Sequence, residues 1–137
     1  MDMAELGPFV RAARRLLAPG GRLVFSVMHP PFSNNGISLV GERDGADNST
    51  FAVKINAYLT VPPGLGAGMP GEPTPHWYFH RPLHELFGEF FAAGWVIDGL
   101  EEPHFTTGDP EPHRITWSNM PDIPPVLVAR AIPRSAI

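Results

Sequence analysis

The sequence has six histidines, and their placing is the first feature that invites a chemical reading. His29 directly follows the mostly apolar run from Arg22 to Met28. An imidazole at the end of a buried strand can orient a ligand or take a proton, because its free pKa lies near neutrality. The plainer alternative is a histidine that only hydrogen-bonds the loop backbone. His76, His80 and His84 recur every four residues. Two histidines so spaced on one helix can hold zinc. Pro82, however, suits the first position of a helix, so His76 and His80 precede it and the spacing loses its meaning. No metal site is expected. Glu101 and Glu102 are adjacent. On an extended chain neighbours point to opposite faces, so a solvated strand end is expected rather than an acid–base pair. The letters from Gly66 to Gly71 spell G-x-G-x-x-G. That motif works only between a strand and a helix, and Pro70, Pro73 and Pro75 forbid the helix.

The elements that must position these groups can be read from periodicity. Met3, Leu6, Phe9, Val10, Ala13, Leu16 and Leu17 fall on one helical face, with Asp2 and Glu5 at the offset of a capping box. Pro19, Gly20 and Gly21 end that helix. Residues 22–28 read as a strand apolar on both faces, as in parallel sheets covered by helices, with Ser26 and Met28 in its core. The polar stretch from Ser33 to Thr50 reads as loop, and residues 51–59 alternate as a half-buried strand. Residues 62–75 are too rich in proline and glycine for helix or central strand. Residues 77–80 read as extended. Leu83, Leu86, Phe87, Phe90 and Phe91 form a helical stripe ending at Gly94. Residues 95–100 and 126–131 read as strands, with loop and at most a short turn between them.

Composition narrows the function classes. A chain of 137 residues is one domain. Ten basic residues and a net charge of −4 do not make the clustered basic footprint of a nucleic-acid binder. With no cysteine there is no thiolate nucleophile, disulfide or thiolate metal site. The 14 glycines and 17 prolines imply much loop. No apolar run approaches membrane-spanning length, and the first residues lack the pattern of a signal peptide. A cytoplasmic domain that binds neither membrane nor nucleic acid is expected.

Four segments, in order, resemble the C-terminal half of a class I S-adenosylmethionine-dependent methyltransferase of the broad type 11 group. Leu16 to Ser26 is similar to the family's helix, Pro-Gly-Gly turn and fifth strand. His29 to Phe32 is similar to the loop after it. Tyr78 to Leu83 with Phe90 to Trp95 resembles the last helix leading into the sixth strand. Pro124 to Ala131 resembles the seventh strand.

The resemblance implies an α/β, partial Rossmann-like methyltransferase fold. Of the family strand order 3-2-1-4-5-7-6, residues 1–137 would supply strands 5, 6 and 7 and their flanking helices. The N-terminal cofactor-binding half is absent from the sequence, so weak or no binding of S-adenosylmethionine is expected of the chain alone. It implies a small-molecule methyl acceptor, with His29, Phe32, Trp77, Tyr78 and His80 as substrate-binding residues beyond the carboxyl ends of the strands. A fifth strand without its fourth neighbour exposes an apolar edge. The expected consequence is a homodimer, a complementing N-terminal half chain, or a marginally folded domain. A non-catalytic module that recruits a partner through that edge is the alternative.

Overall fold

The structure is a computed structural model that describes residues 2–46, 48–67, 71–105 and 115–134. Its first helix, α1, spans Gly7–Leu16. It begins later than the apolar spacing implies, because Pro8 occupies the first turn, where a missing N–H costs nothing. Leu6 is the N-cap and no side chain caps it, so Asp2 and Glu5 form no capping box. Leu6 and Val10 are buried, whereas Phe9 and Leu16 are 41% and 86% exposed. After Leu17 the chain reverses at Pro19 and Gly20, with the Gly21 N–H donating to the Ala18 carbonyl at 2.9 Å. Gly20 has φ +74°, a left-handed conformation that glycine adopts without a Cβ clash.

The main sheet contains β1 (Leu23–Met28), β6 (Trp95–Glu101) and β7 (Val126–Pro133), in the order β1-β7-β6. Strand β7 runs antiparallel to both neighbours, so β1 and β6 are parallel to each other across it. The order, with the last strand reversed between its neighbours, agrees with the 5-7-6 order that the resemblance leads one to expect. Two hairpins stand beside the sheet: β2 (Ile37–Arg43) with β3 (Ser49–Ile55), and β4 (Gly64–Gly66) with β5 (His76–Tyr78). The first of these corrects the loop expected before Thr50. Ile37, Leu39 and Gly41 pair with Ile55, Val53 and Phe51. Gly36, Gly41 and Gly45 disguised the strand as loop. Asp44 closes its turn, and hydrogen bonds from the Asn48 side chain and from the Asn48 and Ala46 backbone hold its carboxyl below the usual range. The short strand β4 likewise lies where only loop was expected, paired through Leu65 and Trp77. Residues 106–114 of the expected loop lie outside the described residues, and beyond them comes a single 3-10 turn, Trp117–Asn119.

Helix α2 (Leu83–Ala92) takes Pro82 as its N-cap and ends before Gly94, whose φ of +78° gives the left-handed stop. Both helices pack on one face of the sheet. Leu6, Val10, Leu86, Phe90, Trp95, Leu127 and Ala131 form the buried core. Phe90 stacks on Phe25 at 4.7 Å and meets Trp95 edge-on at 6.3 Å. The indole N–H of Trp95 donates to the Val10 carbonyl at 3.0 Å, tying β6 to α1. Arg14 makes a second tie, to the Gly94 carbonyl. Ala129 and Ala131 are fully buried, so small side chains let the helices approach the central strand.

Among the described residues no helix covers the opposite face of the sheet. Val24, Ser26 and Met28 project there, opposite Arg130, Val128 and Val126. Val24 is 58% and Met28 41% exposed, which corrects the expectation that this strand is covered on both faces with Ser26 and Met28 in the core. A register shift between Ile97 and Gly99 leaves Asp98 free to pair with the Arg130 Nε at 2.9 Å, which raises the arginine pKa. Among the described residues no helix is long and apolar enough to cross a membrane.

Trp95 fills the junction of α1, α2 and the sheet. Trp95→Ala should lower unfolding free energy by roughly 3–5 kcal/mol, in the range of large aromatic deletions. Trp95→Phe, which loses the indole hydrogen bond and part of the volume, should cost less, roughly 1–2 kcal/mol. Denaturant titrations of the variants check both values.

Candidate functional site

The carboxyl end of β1 is where the chemistry-bearing residues gather. Beyond Met28, the backbone N–H of His29 donates to the Pro125 carbonyl at 2.8 Å, extending the contact with β7 by one residue. The His29 carbonyl then accepts from Phe32 and Ser33, at 3.1 and 2.8 Å, so the chain turns back at once. The Asn34 amide donates to the Pro30 carbonyl, and its oxygen accepts from the Gly36 N–H at 2.6 Å. These bonds hold the 29–36 turn against the sheet end.

The His29 side chain is only 3% exposed. Its ring stacks on Phe32 at 4.7 Å and its Nε2 lies 2.8 Å from Glu102 Oε1. Glu102 is 59% exposed, yet it is not a merely solvated strand end: it binds across the sheet to the strand on the other side of β7. The sequence hides this partnership because 73 residues separate the two. The Nδ1 of His29 is buried without a hydrogen-bond partner.

A cavity enclosing about 40 Å³ of water-accessible space opens beside this turn. Val27, Met28, Phe79 and Leu86 give it an apolar wall; Ser33, Asn34, Asn35, Tyr78, His80 and Arg81 give it a polar one. No carboxylate is among the described residues that line it. Of the five residues singled out in the sequence, Tyr78 and His80 line this cavity. His29 sits between two lining residues, Met28 and Pro30, with its ring turned to Glu102 and Phe32. Trp77 is 51% exposed on the β4–β5 hairpin, across from Leu65 and 6.3 Å from the Phe79 ring. Ser33, Asn34 and Asn35 were read only as loop; the Asn-Asn-Gly run was the available signal of a turn with side-chain hydrogen bonds.

His80 is fixed from the 56–60 segment. Its Nε2 lies 2.6 Å from the Tyr58 carbonyl, and the two rings meet edge-on at 5.8 Å. The Tyr58 hydroxyl in turn accepts from the Leu83 N–H at 2.8 Å, at the first residue of α2. Tyr58 thus joins the cavity histidine to the start of the helix. Arg81 is committed elsewhere, donating to the Met3 and Ala4 carbonyls. His76 pairs with Glu72 at 2.8 Å, and among the described residues no three metal-ligating side chains converge. Gly66 of the Gly-rich run ends β4, and residues 68–70 of that run lie outside the described residues; the described chain resumes in a turn that leads to β5.

No protein-family model matches the chain, and neither does any curated protein. Solved structures do. An S-adenosylmethionine-dependent methyltransferase from Mesorhizobium loti is 22% identical with a TM-score of 0.62, over 95% of this chain and 56% of that one. A Listeria monocytogenes protein provisionally assigned to the same class is 19% identical with a TM-score of 0.67, over 97% of this chain and 57% of that one. The chain therefore has the fold of the S-adenosylmethionine-dependent methyltransferases that it matches, over a little more than half of their length.

Proposed function

We propose that the chain is the C-terminal part of an S-adenosylmethionine-dependent methyltransferase and supplies walls of the site for a small-molecule methyl acceptor. The observation that carries this reading is the cavity at the carboxyl end of β1, in a sheet ordered β1-β7-β6 with β7 reversed. In open α/β sheets ligands bind beyond the carboxyl ends of the strands. Tyr78 and His80 would face the acceptor from the β5–α2 side. His29 and Phe32 would brace the turn on the other, with Trp77 on the adjoining hairpin.

The described residues do not fit the cofactor by themselves. A nucleoside cofactor needs a glycine-rich turn between strand and helix N-terminus, and an acidic side chain for the ribose. Here the glycine-rich run lies between two hairpin strands, and no carboxylate is among the described residues that line the cavity. S-adenosylmethionine would have to be held by a further polypeptide segment. That segment could be more residues of a longer protein, a complementing N-terminal half chain, or a second copy completing the edge of β1.

The open face of the sheet supports this need for a partner. Among the described residues β1 pairs with β7 alone, which leaves the backbone groups of its other edge unpaired, and Val24 and Met28 are exposed on the face beside that edge. Unpaired apolar edges are templates for association. The same face supports a second reading, a non-catalytic module that recruits a partner. DNA upstream of the coding sequence separates the two. A Gly-rich strand-turn-helix there, in frame or in a neighbouring frame, favours the enzyme; its absence favours the module.

Calorimetric titration of these 137 residues with S-adenosylmethionine should give no binding, or dissociation constants around millimolar. Micromolar affinity would overturn the assignment of cofactor contacts to another segment. In light scattering the chain should associate, and Val24→Lys with Met28→Lys should weaken that association about tenfold or more. A stable wild-type monomer, unaffected by either change, would refute the role given to the open sheet.

A further inference from the structure

Asn35 and Gly36, in the turn after β1, are the only Asn-Gly pair in the sequence. An asparagine amide is among the chemically labile side chains of proteins. A glycine after it leaves the next backbone nitrogen unscreened by a Cβ. Packing demands that glycine: a Cβ at position 36 would stand 2.5 Å from the Ala57 carbonyl oxygen and 2.9 Å from Asn34 Oδ1. Asn35 itself is exposed to water and lines the cavity. The fold therefore imposes a reactive pair on an accessible turn. One side chain stands against the reaction. The Gly36 N–H donates to Asn34 Oδ1 at 2.6 Å, the local bond by which asparagine builds a turn. The Asn34 amide nitrogen donates to the Pro30 carbonyl, which fixes that acceptor in place. The Gly36 carbonyl accepts from the Asn56 and Ala57 N–H groups at 2.8 and 3.0 Å. Gly36 is thus bonded through both its backbone groups, and its nitrogen is not free to turn on Asn35 until the Asn34 bond opens.

We infer that Asn35 is a site of spontaneous modification, deamidation, and that Asn34 restrains it by holding the Gly36 N–H. In the reaction the Gly36 nitrogen gives up its hydrogen and bonds to Asn35 Cγ. The Cγ–Nδ2 bond breaks, and Nδ2 leaves as ammonia with that hydrogen. Water then opens the succinimide ring. Opening at Cγ leaves an aspartate in place of Asn35; opening at the backbone carbonyl leaves an isoaspartate, with the chain running through the side chain. One water enters and one ammonia leaves, and no electrons are exchanged. Either product puts a carboxylate on a cavity wall whose described residues have none, beside Tyr78, His80 and Arg81. This goes beyond the methyltransferase reading and does not rest on it.

Incubation of the chain in mildly alkaline buffer, followed by peptide mass spectrometry, tests this. Replacing NH2 by OH raises the mass of the peptide, and fragmentation assigns the change to Asn35 or Asn34. Asn35 should convert more slowly in the folded chain than in urea. Asn34→Ala should raise the folded-state rate about fivefold or more, the equivalent of one ordinary hydrogen bond. Asn34→Asp, whose carboxylate oxygen can still accept, should stay nearer the wild-type rate. Conversion at Asn48 and Asn119 should not change, whereas a general loosening of the fold would speed these too. The Gly36 amide should be protected from hydrogen exchange in the wild type and lose that protection in Asn34→Ala. Equal rates at Asn35 in Asn34→Ala and wild type, folded conversion as fast as in urea, or equal acceleration at every asparagine would each overturn the inference. If Asn34→Ala fails to fold, the folded-to-urea ratio and the Gly36 exchange rate of the wild type still decide. None of these readouts involves S-adenosylmethionine, so failure here leaves the methyltransferase reading standing, and failure of that reading leaves this site.

Discussion

The reversed strand β7 is the constraint on which the rest of the molecule depends. It supplies the backbone ladder to both β1 and β6, so neither would belong to a sheet without it. Its inward residues are Leu127, Ala129 and Ala131, all buried. Two alanines in the middle of the strand leave room for Phe25, Phe90 and Trp95 to fill the space beneath the helices. A larger residue there would push α1 and α2 off the sheet, because interiors are packed too closely to absorb extra methylenes. Pro125, just before the strand, offers the carbonyl that receives the His29 N–H. The same element therefore holds the core together and sets where the candidate site begins.

From that frame the site is built by loops that are anchored rather than free. The turn after β1 is closed by backbone bonds to the His29 carbonyl and by the Asn34 side chain. The opposite wall is set by Tyr58, which touches His80 with its carbonyl and the start of α2 with its hydroxyl. Binding groups carried on loops need such a scaffold if they are to keep a fixed geometry. The His29–Glu102 contact adds a strut across the sheet end, from the turn after β1 to the residue after β6. A buried imidazole with one nitrogen unpaired is a costly arrangement, and the carboxylate offsets part of it by accepting a charge-assisted hydrogen bond.

The two faces of the sheet are unlike. One face is covered by two helices and contains the core. On the other, Val24 and Met28 are exposed and their cross-strand neighbours Arg130 and Val126 are half-buried. A single-sided sheet this small buries little of its apolar surface, and its stability rests on the few large aromatic side chains at the helix junction. The solved structures that share the fold are longer by almost half their own length.

Periodicity and turn chemistry were enough to determine the order of α1, β1, α2, β6 and β7, because each announces itself locally. Pro19 and Gly20 end the first helix, Pro82 and Gly94 bound the second, and the apolar runs between them have strand length. The placing of His29 at the end of β1 was legible for the same reason. Strand β2 was not, since its glycines mimic loop and only cross-strand pairing with β3 makes it extended. The late start of α1 came from Pro8, whose preference for a first turn outweighed the longer apolar stripe. What only the tertiary structure decided are contacts between residues far apart in the chain: Glu102 on His29, and Tyr58 on His80. No local pattern encodes them, because hydrogen-bond partnership depends on where the ends of separate elements meet in space.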